Sequence, residues 1–480
     1  MAAVARLGIA AASPLQPRWA VEAFARAAAA GLAQVHLAHL GNAPDARQPG
    51  LWDRLDRWAF GAGPDPRAPV EIRGQSPISP EPLPEYDAIF ALGEVDDAAL
   101  YERSRTGVWR FWFDGDDEVV GSGLAVRRSP LAEPRIACVS WSRRTAFSMA
   151  RTREHVLARA ASLVERALGE LQAQGEAWLE RLPVRPGATR EAPPDAPGTL
   201  RRALGRGLEK ALYAEQWFIR YRFEGDAAFR DLVPPPDRIW ADPFPLERDG
   251  RYYIFFEELP FAAGKAHIAV LEVDRRGPRL PALKVLERDY HLSYPFLLEH
   301  EGALYLIPES AQNRSVEAWR CVRFPDRWRL EKALLEDVRC VDPTLHRDSN
   351  GWWLFVNRAP EGSRVFDDEL HLYRSERFPG EWRPHPRNPV KCDARSARPA
   401  GRLFRRGETW LRPAQICVPR YGAGISLNRV TRLTDADYAE EEVERLRPGA
   451  PLLGLHTLNR AGALTVVDAF ARRRRIWRTP

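Results

Sequence analysis

The chain has 480 residues, 45% of them hydrophobic and 28% charged, the balance of a globular protein long enough for two or three domains. Its net charge of +6 comes from 71 Lys and Arg against 65 Asp and Glu; spread so thinly, it gives no reason to expect a nucleic-acid partner. The five cysteines, Cys138, Cys321, Cys340, Cys392 and Cys417, form no C-x-x-C pair and are odd in number, which argues against a disulfide framework and for reduced thiols in a cytoplasm. The ten histidines show no H-E-x-x-H spacing, so neither a metal site nor a cofactor is expected. No apolar run reaches the roughly 18 residues needed to span a bilayer, and the Ala-rich start lacks the pattern of a secretion signal.

Residues 1–142 read as an α/β domain. Residues 4–12 form a buried strand, 18–32 a helix with an Ala-rich face, 34–40 a second strand and 51–60 a short amphipathic helix. Residues 86–93, 107–113 and 136–141 are further strands. Strands alternating with helices predict a largely parallel, Rossmann-like sheet. Such sheets bind ligands at the carboxyl ends of their strands, where Ser13, Glu94, Asp114 and Asp116 stand. No G-x-G-x-x-G follows the first strand, so a dinucleotide site is not expected.

Residues 143–215 read as a helical segment. Phe147, Ala150, Leu157, Ala160, Val164, Leu168 and Leu171 recur at helical spacing, and the Pro-rich stretch 183–198 reads as a linker. A second helix follows, with Leu200, Leu204, Leu208 and Leu212 on one face and Arg201, Arg202, Arg206 and Lys210 elsewhere. A basic amphipathic helix covers a domain or lies on an anionic membrane. The basic tail 473–480 adds to the second option, a peripheral contact at the inner face of the membrane.

From residue 216 to about 472 one pattern recurs. Asp242-Pro243-Phe244 precedes the turn Arg248-Asp249-Gly250 and the run Tyr252–Phe256, a strong β-hairpin signal. Tyr294-Pro295-Phe296, Asp342-Pro343-Thr344, Arg398-Pro399-Ala400 and His456-Thr457-Leu458 each precede a Gly turn and an apolar run in the same way. Pro243 cannot donate to a ladder, so its strand opens at an edge, a bulge or beside a cavity. Five strand-rich units of about 50 residues predict a five-bladed β-propeller. In a propeller, equivalent positions reach the same height around one axis, so Asp242, Tyr294, Asp342, Arg398 and His456 are expected to converge. The competing reading, that Asp-Pro merely starts a strand, suits any one copy better than the set.

The order of the N-terminal pieces, with Gly107-Val108-Trp109 before an Asp-rich turn, resembles the N-terminal part of formyltransferase-like domains. Their working residues are an Asn, a His and an Asp. Here Phe111-Trp112-Phe113-Asp114-Gly115-Asp116 offers no His before the Gly, so the resemblance implies a remnant scaffold or docking domain without a general base. Trp240-Ala241-Asp242-Pro243-Phe244 with Tyr252-Tyr253, and Asp342-Pro343, are similar to the five-bladed propellers of glycoside hydrolase families 43, 62 and 32. Tyr294-Pro295-Phe296, Leu306-Ile307-Pro308-Glu309-Ser310, Glu317-Ala318-Trp319-Arg320 and Val341-Asp342-Pro343-Thr344-Leu345 resemble the propeller of plant glucosamine inositolphosphorylceramide transferases and their bacterial relatives.

The hydrolase resemblance implies a base at Asp242 and a pKa-tuning, sugar-orienting role for Asp342. The family's general acid, a Glu of the fourth blade, is replaced by Arg398, which stays protonated and cannot do that work. Arg398 is therefore expected to bind a phosphate or carboxylate of the substrate, and Glu309 to supply the missing acid. Tyr294, His456 and Gln415 are candidate hydrogen-bonders to sugar hydroxyls. Trp240 is a candidate stacking face, with core packing as its competing reading. The expected function is glycosyl transfer or hydrolysis in surface polysaccharide or glycolipid biosynthesis, on a sugar or glycan that is nucleotide- or phosphate-linked. The alternatives are a non-catalytic glycan- or partner-binding propeller and a sugar-amine formyltransferase.

Overall fold

The computed structural model describes residues 4–474 apart from 42–50, 62–63, 74, 96–97, 146, 186–200, 202–203, 206, 210–211 and 360–364. Two compact units divide at Leu204 and Gly205. The Pro-rich linker lies mostly outside the described residues, as do half of the basic helix and the end of the basic tail.

The first unit holds a seven-stranded mixed sheet. In spatial order its strands are Ile78–Ser79, Ala33–Leu40, Ala5–Ala11, Ala88–Leu92, Val108–Gly115, Val119–Arg127 and Arg135–Arg143. The first five run parallel and the last three form an antiparallel meander. The sheet is thus less parallel than expected, because Val119–Arg127 replaces a crossover helix after Asp114. Two glycines gave that strand the look of a loop. In the fold they make room for tryptophans: a Cβ on Gly123 would stand 2.3 Å from Trp112, and one on Gly121 2.8 Å from Trp141. The long helix Met149–Gln174 starts where Ser148 Oγ accepts the Arg151 N–H (3.2 Å) and ends at Gly175, whose φ of +65° suits glycine. Its Leu157, Ala160, Leu163, Val164 and Leu168 join the core formed by Trp19, Phe24, Phe90 and Trp109. This helix therefore belongs to the first unit and is not a separate linker.

The second unit contains five four-stranded blades. Blade one is Arg238–Arg248, Arg251–Pro260, His267–Val273 and Pro278–Leu286. Blade two is Ser293–His300, Ala303–Ser310, Ser315–Arg323 and Arg327–Glu336. Blade three is Cys340–Asp348, Gly351–Arg358, Glu369–Ser375 and Arg383–Pro384, with Lys391–Cys392 also pairing its third strand. Blade four is Phe404–Arg406, Thr409–Ile416, Gly424–Leu433 and Tyr438–Leu446. Blade five closes the ring. Its inner strands Leu458–Ala461 and Leu464–Arg474 come from the end of the chain, and its outer strands Tyr213–Phe223 and Arg230–Leu232 from the start of the unit. Tyr213–Phe223 pairs with Leu464–Arg474 from Tyr213↔Arg474 to Phe223↔Leu464, so closure fixes both ends without a disulfide.

Three inner strands share one irregularity. Their registers shift between Ala241 and Phe244, Ser293 and Phe296, and Val341 and Thr344. At these bulges Asp242, Tyr294 and Asp342 have φ of +50°, +43° and +56°. A left-handed non-glycine residue costs on the order of 1–3 kcal/mol and persists only where its surroundings hold it. The proline that follows each of them cannot donate to the ladder, so the bulge loses nothing there.

Candidate active site on the propeller axis

Asp242 sits in a cradle built by blades one, two and five. Its Oδ1 accepts the Thr457 hydroxyl (2.7 Å) and ion-pairs with His456 Nε2 (3.1 Å), and its Oδ2 accepts the Tyr294 N–H (3.2 Å). Its own N–H donates to Asp468 Oδ2 (3.0 Å). Asp468 in turn accepts the N–H groups of His456 and Thr457 (both 2.9 Å) and ion-pairs with His456 Nδ1 (2.9 Å). Burial works against an imidazolium, but the two carboxylates on either side outweigh it and raise His456 to about 10. Burial likewise works against the charge of Asp242. There the His456 cation, the Thr457 hydroxyl and Arg398 prevail, and Asp242 titrates below an ordinary carboxylate.

Asp342 faces a different partner. Arg398 Nε donates to its Oδ2 (2.6 Å), Arg398 Nη2 lies 3.5 Å from Oδ1, and Gln415 Nε2 donates to Oδ2 (2.8 Å). Burial pushes Asp342 up, Arg398 offsets this in part, and the charge of Asp242 adds to the rise. Arg398 also donates to the Phe366 carbonyl (3.1 Å) and lies 4.9 Å from the Tyr421 ring. Its guanidinium is thus engaged within the protein, which corrects the expectation that it meets a substrate anion.

Glu309 is the expected acid, and its surroundings suit that role. Burial raises its carboxyl, Asp342 adds to the rise, Arg398 and His291 oppose it, and it reaches about 8. It therefore carries its proton at neutral pH, while Asp242 does not. Access separates them as well: Asp242 is 4% exposed and Asp342 1%, whereas Glu309, His291, Arg398 and Tyr421 are half-buried.

A second polar ring was only partly visible in the sequence. One residue of each blade's second strand turns to the axis: Glu257, Glu309, Asn357, Gln415 and Asp468. Glu257, Glu309 and Asn357 follow their bulge residues by the same 15 positions, Gln415 and Asp468 by slightly different steps. Glu309 and Gln415 were expected here; Glu257, Asn357 and Asp468 were not, although that constant step after Asp242, Tyr294 and Asp342 would have located the first two. Glu257 is raised by burial and ion-pairs with His291 (3.3 Å), which is raised in turn. Asn357 is fully buried, and neither amide atom has a hydrogen-bond partner; Gln415 Oε1 is likewise unpartnered. Such groups cost roughly 1–3 kcal/mol each until a water or ligand meets them.

Other expected positions do different work. The Tyr294 ring packs on Phe244 (4.8 Å), and its hydroxyl accepts the Gly401 N–H (2.6 Å) and pairs with Thr344 Oγ1 (2.8 Å). Blades two and four are not neighbours, so Tyr294 bridges across the axis and closes it beneath the bulges; its hydroxyl is not free for a sugar. Trp240 is 4% exposed, donates to Glu258 Oε1 (2.8 Å) and packs on Phe256, which makes it core and not a stacking face. His456 is 3% exposed and held by two carboxylates, so its ring orders the cradle and does not meet a sugar. In the first unit, Asp114 Oδ1 accepts the Gly115 N–H (2.7 Å), and Asp116 Oδ1 accepts those of Glu118 and Val119 (2.8 and 2.9 Å). Both carboxylates serve the hairpin turn.

One oxygen or nitrogen from each of Asp242, His456 and Asp468 lies within 4.8 Å of the others, a spacing that could hold a cation. With His456 protonated between the two carboxylates, the imidazolium already supplies that positive charge.

Residues 229–449 match the family described as glucosamine inositolphosphorylceramide transferase 1, N-terminal. Over 211 residues the chain is 31% identical to glucosamine inositolphosphorylceramide transferase 1 of Oryza sativa subsp. japonica and 29% identical to that of Arabidopsis thaliana. Each match covers 43% of this chain and 28% of the relative, so the chain spans under a third of their length. Among solved structures, the catalytic domain of the Coprinopsis cinerea GH62 α-L-arabinofuranosidase aligns with a TM-score of 0.40 and 11% identity, over 54% of this chain and 99% of that one. A family 117 glycoside hydrolase of Zobellia galactanivorans aligns with a TM-score of 0.36 and 12% identity, over 55% and 96%.

Proposed function

We propose that the propeller makes or breaks a glycosidic bond at its axis, with glycosyl transfer in glycolipid or surface polysaccharide synthesis as the physiological direction. The observation that carries this reading is the contrast in setting of two axial carboxyls: Asp242 is held as an anion by His456 (3.1 Å) and the Thr457 hydroxyl (2.7 Å), whereas burial beside Asp342 raises Glu309. Such a split assigns an acid and an anion in glycoside chemistry. Glu309 gives its proton to the leaving oxygen as the C–O bond breaks. Asp242 is too well satisfied to be a strong base, so its fixed charge steadies the positive character of the sugar ring in the transition state. The acceptor hydroxyl attacks the anomeric carbon and returns a proton to Glu309.

The relatives are named as glucosamine inositolphosphorylceramide transferases, which makes an amino sugar and a phosphorylated glycolipid the first classes to test. Turnover of such donors by wild type, Glu309→Gln and Asp242→Asn is the test. Loss of turnover with retained sugar binding in Glu309→Gln supports the reading; unchanged turnover in both variants sinks it. A binding-only propeller is the second reading, favoured by how little of Asp242 and Asp342 reaches solvent. It expects saturable binding and no turnover in any of the proteins.

We read the first unit as a formyltransferase-like scaffold without a working base. The exposed Leu204 and Leu208 (66% and 63%) beside a basic stretch motivate a peripheral contact with an anionic membrane. Co-sedimentation with phosphatidylserine vesicles that is unchanged in Leu204→Ser/Leu208→Ser would remove that contact from the proposal.

A further inference from the structure

Between the first two blades, outboard of the axis, lies a cavity of about 540 Å³ that the axial chemistry does not use. Two turns build it. Residues 287–292 join the outer strand of blade one to the inner strand of blade two, and the 3₁₀ turn Ala311–Asn313 joins the second and third strands of blade two. Both belong to the propeller face on which the axial residues enter. The same turns also serve the axis. His291, which follows Tyr290, pairs there with Glu257, and its N–H donates to Gln312 Oε1 (2.8 Å), the neighbour of Asn313. The cavity wall and an axial group are thus adjacent residues of one turn.

The back of the cavity is rigid. Glu317, 3% exposed, accepts the Tyr290 hydroxyl (2.9 and 2.8 Å), Asn313 Nδ2 (2.8 Å), Ser315 Oγ (2.8 Å) and the Trp319 indole N–H (3.0 Å). A carboxylate with that many donors is saturated, so it positions its neighbours and does not meet a ligand. Asn313 Nδ2 is shared with Ser315 Oγ (3.2 Å), which fixes the amide and leaves its carbonyl oxygen as an acceptor for an incoming donor. The rim carries both signs of charge: Lys265, which donates to the Arg288 carbonyl, and Arg288 against Asp289 and Glu287, the latter paired with Lys284 (3.0 Å). Arg288 lies 4.2 Å from the Trp319 ring centre and is held there.

That rim selects a class of ligand. A lone phosphate would face Glu287 and Asp289, and a lone amine would face Lys265 and Arg288. A polyhydroxylated ring suits both, because each hydroxyl can donate to a carboxylate or amide oxygen and accept from an ammonium or guanidinium. We infer that this cavity is a second sugar subsite, which holds the next unit of an oligosaccharide whose reacting ring lies on the axis. The inference rests on the axial reading for its position in the substrate, not for its chemistry.

The test titrates D-glucosamine and its β-1,4-linked dimer to tetramer calorimetrically into wild type, Arg288→Ala/Asp289→Ala and Glu309→Gln. Arg288 and Asp289 are exposed, so the double variant keeps its fold, which an unchanged Tm checks. Wild type is expected to bind the tetramer about tenfold more tightly than the monomer, as one or two charged hydrogen bonds provide. The double variant should lose that gain and keep the monomer affinity. Should Glu309→Gln leave turnover untouched while the double variant still loses the tetramer, the axial reading falls and the cavity stands as a sugar site of its own. Equal tetramer binding by wild type and the double variant, or no binding of any probe, overturns the subsite.

Discussion

The turn at the end of Val108–Gly115 and the propeller axis both gather carboxylates at strand ends, yet they use them in opposite ways. In the first unit, Asp114 and Asp116 accept backbone N–H groups one to three residues on, and each closes a local turn. On the axis, Asp242, Asp342, Glu257, Glu309 and Asp468 are packed against one another and against His456, Arg398 and His291. Local hydrogen bonds satisfy the first set at little cost. The second set is held in mutual conflict, three of its blades carry strained bulge residues, and the amide of Asn357 and the Oε1 of Gln415 lack partners. Conflict of that kind persists only where the surrounding fold enforces it, which is why a site is read from the axis and not from the Asp-rich turn.

The sharpest way to break this comparison is Glu309→Gln. Loss of the acid should lower turnover by about 10²–10⁴-fold, while Asp114→Ala leaves turnover unchanged; steady-state kinetics on both variants checks this. Next in size is Arg398→Met, which leaves Asp342 buried without its cation. Chemical denaturation should show a loss of about 3–5 kcal/mol, and Arg398→Lys should recover only part of it because one ammonium cannot reproduce the fork.

The axis also makes its own stability depend on pH. Glu309, raised to about 8, holds a proton in the folded state that the unfolded chain releases near the ordinary value of 4.5. The unfolded state then binds fewer protons between those limits, so stability falls as pH rises from about 4.5 to 8. With allowance for its partial exposure, the penalty is about 1–3 kcal/mol. Glu309→Gln should remove it and gain stability at pH 8 relative to pH 5, as paired Tm measurements would show. Turnover by wild type should fall as pH passes about 8, when the acid is lost. His456 moves stability in the same direction, but by losing a favourable charge instead of gaining an unfavourable one. Its pKa is raised from 6.5 to about 10, so its contribution is complete below pH 6.5 and is lost as pH rises towards 10.

Smaller effects sharpen the boundary of the site. Trp240→Phe removes the bond to Glu258 but keeps most of the packing, and should cost about 1–2 kcal/mol with sugar binding unchanged. Asp116→Ala should cost about 0.5–1.5 kcal/mol of stability and nothing in turnover. A loss of sugar binding in Trp240→Phe would move the edge of the site outward.

Hairpin chemistry wrote much of the fold into the sequence. Asp-Gly and Gly turns between apolar runs marked the blades, and X-Pro at the start of the first three inner strands marked where the ladder shifts. Repetition grouped Asp242, Tyr294, Asp342, Arg398 and His456, and the hydrogen bonds and ion pairs of the axis join Asp242 to Tyr294 and His456 and Asp342 to Arg398. The strand Val119–Arg127 stayed hidden because its glycines answer to Trp112 and Trp141, which lie on other strands. What the sequence could not fix was which polar group pairs with which. Arg398 reaches Asp342 across 56 positions, Thr457 reaches Asp242 across 215, and Asp468 reaches the Asp242 N–H across 226. Side-chain pairing over such separations is decided by ring closure and by the direction each bulge throws its residue. Composition and period say that polar residues gather on the axis; only the closed ring decides that His456 locks Asp242 as an anion, that Arg398 serves Asp342, that Tyr294 reaches Gly401, and that burial beside Asp342 raises Glu309.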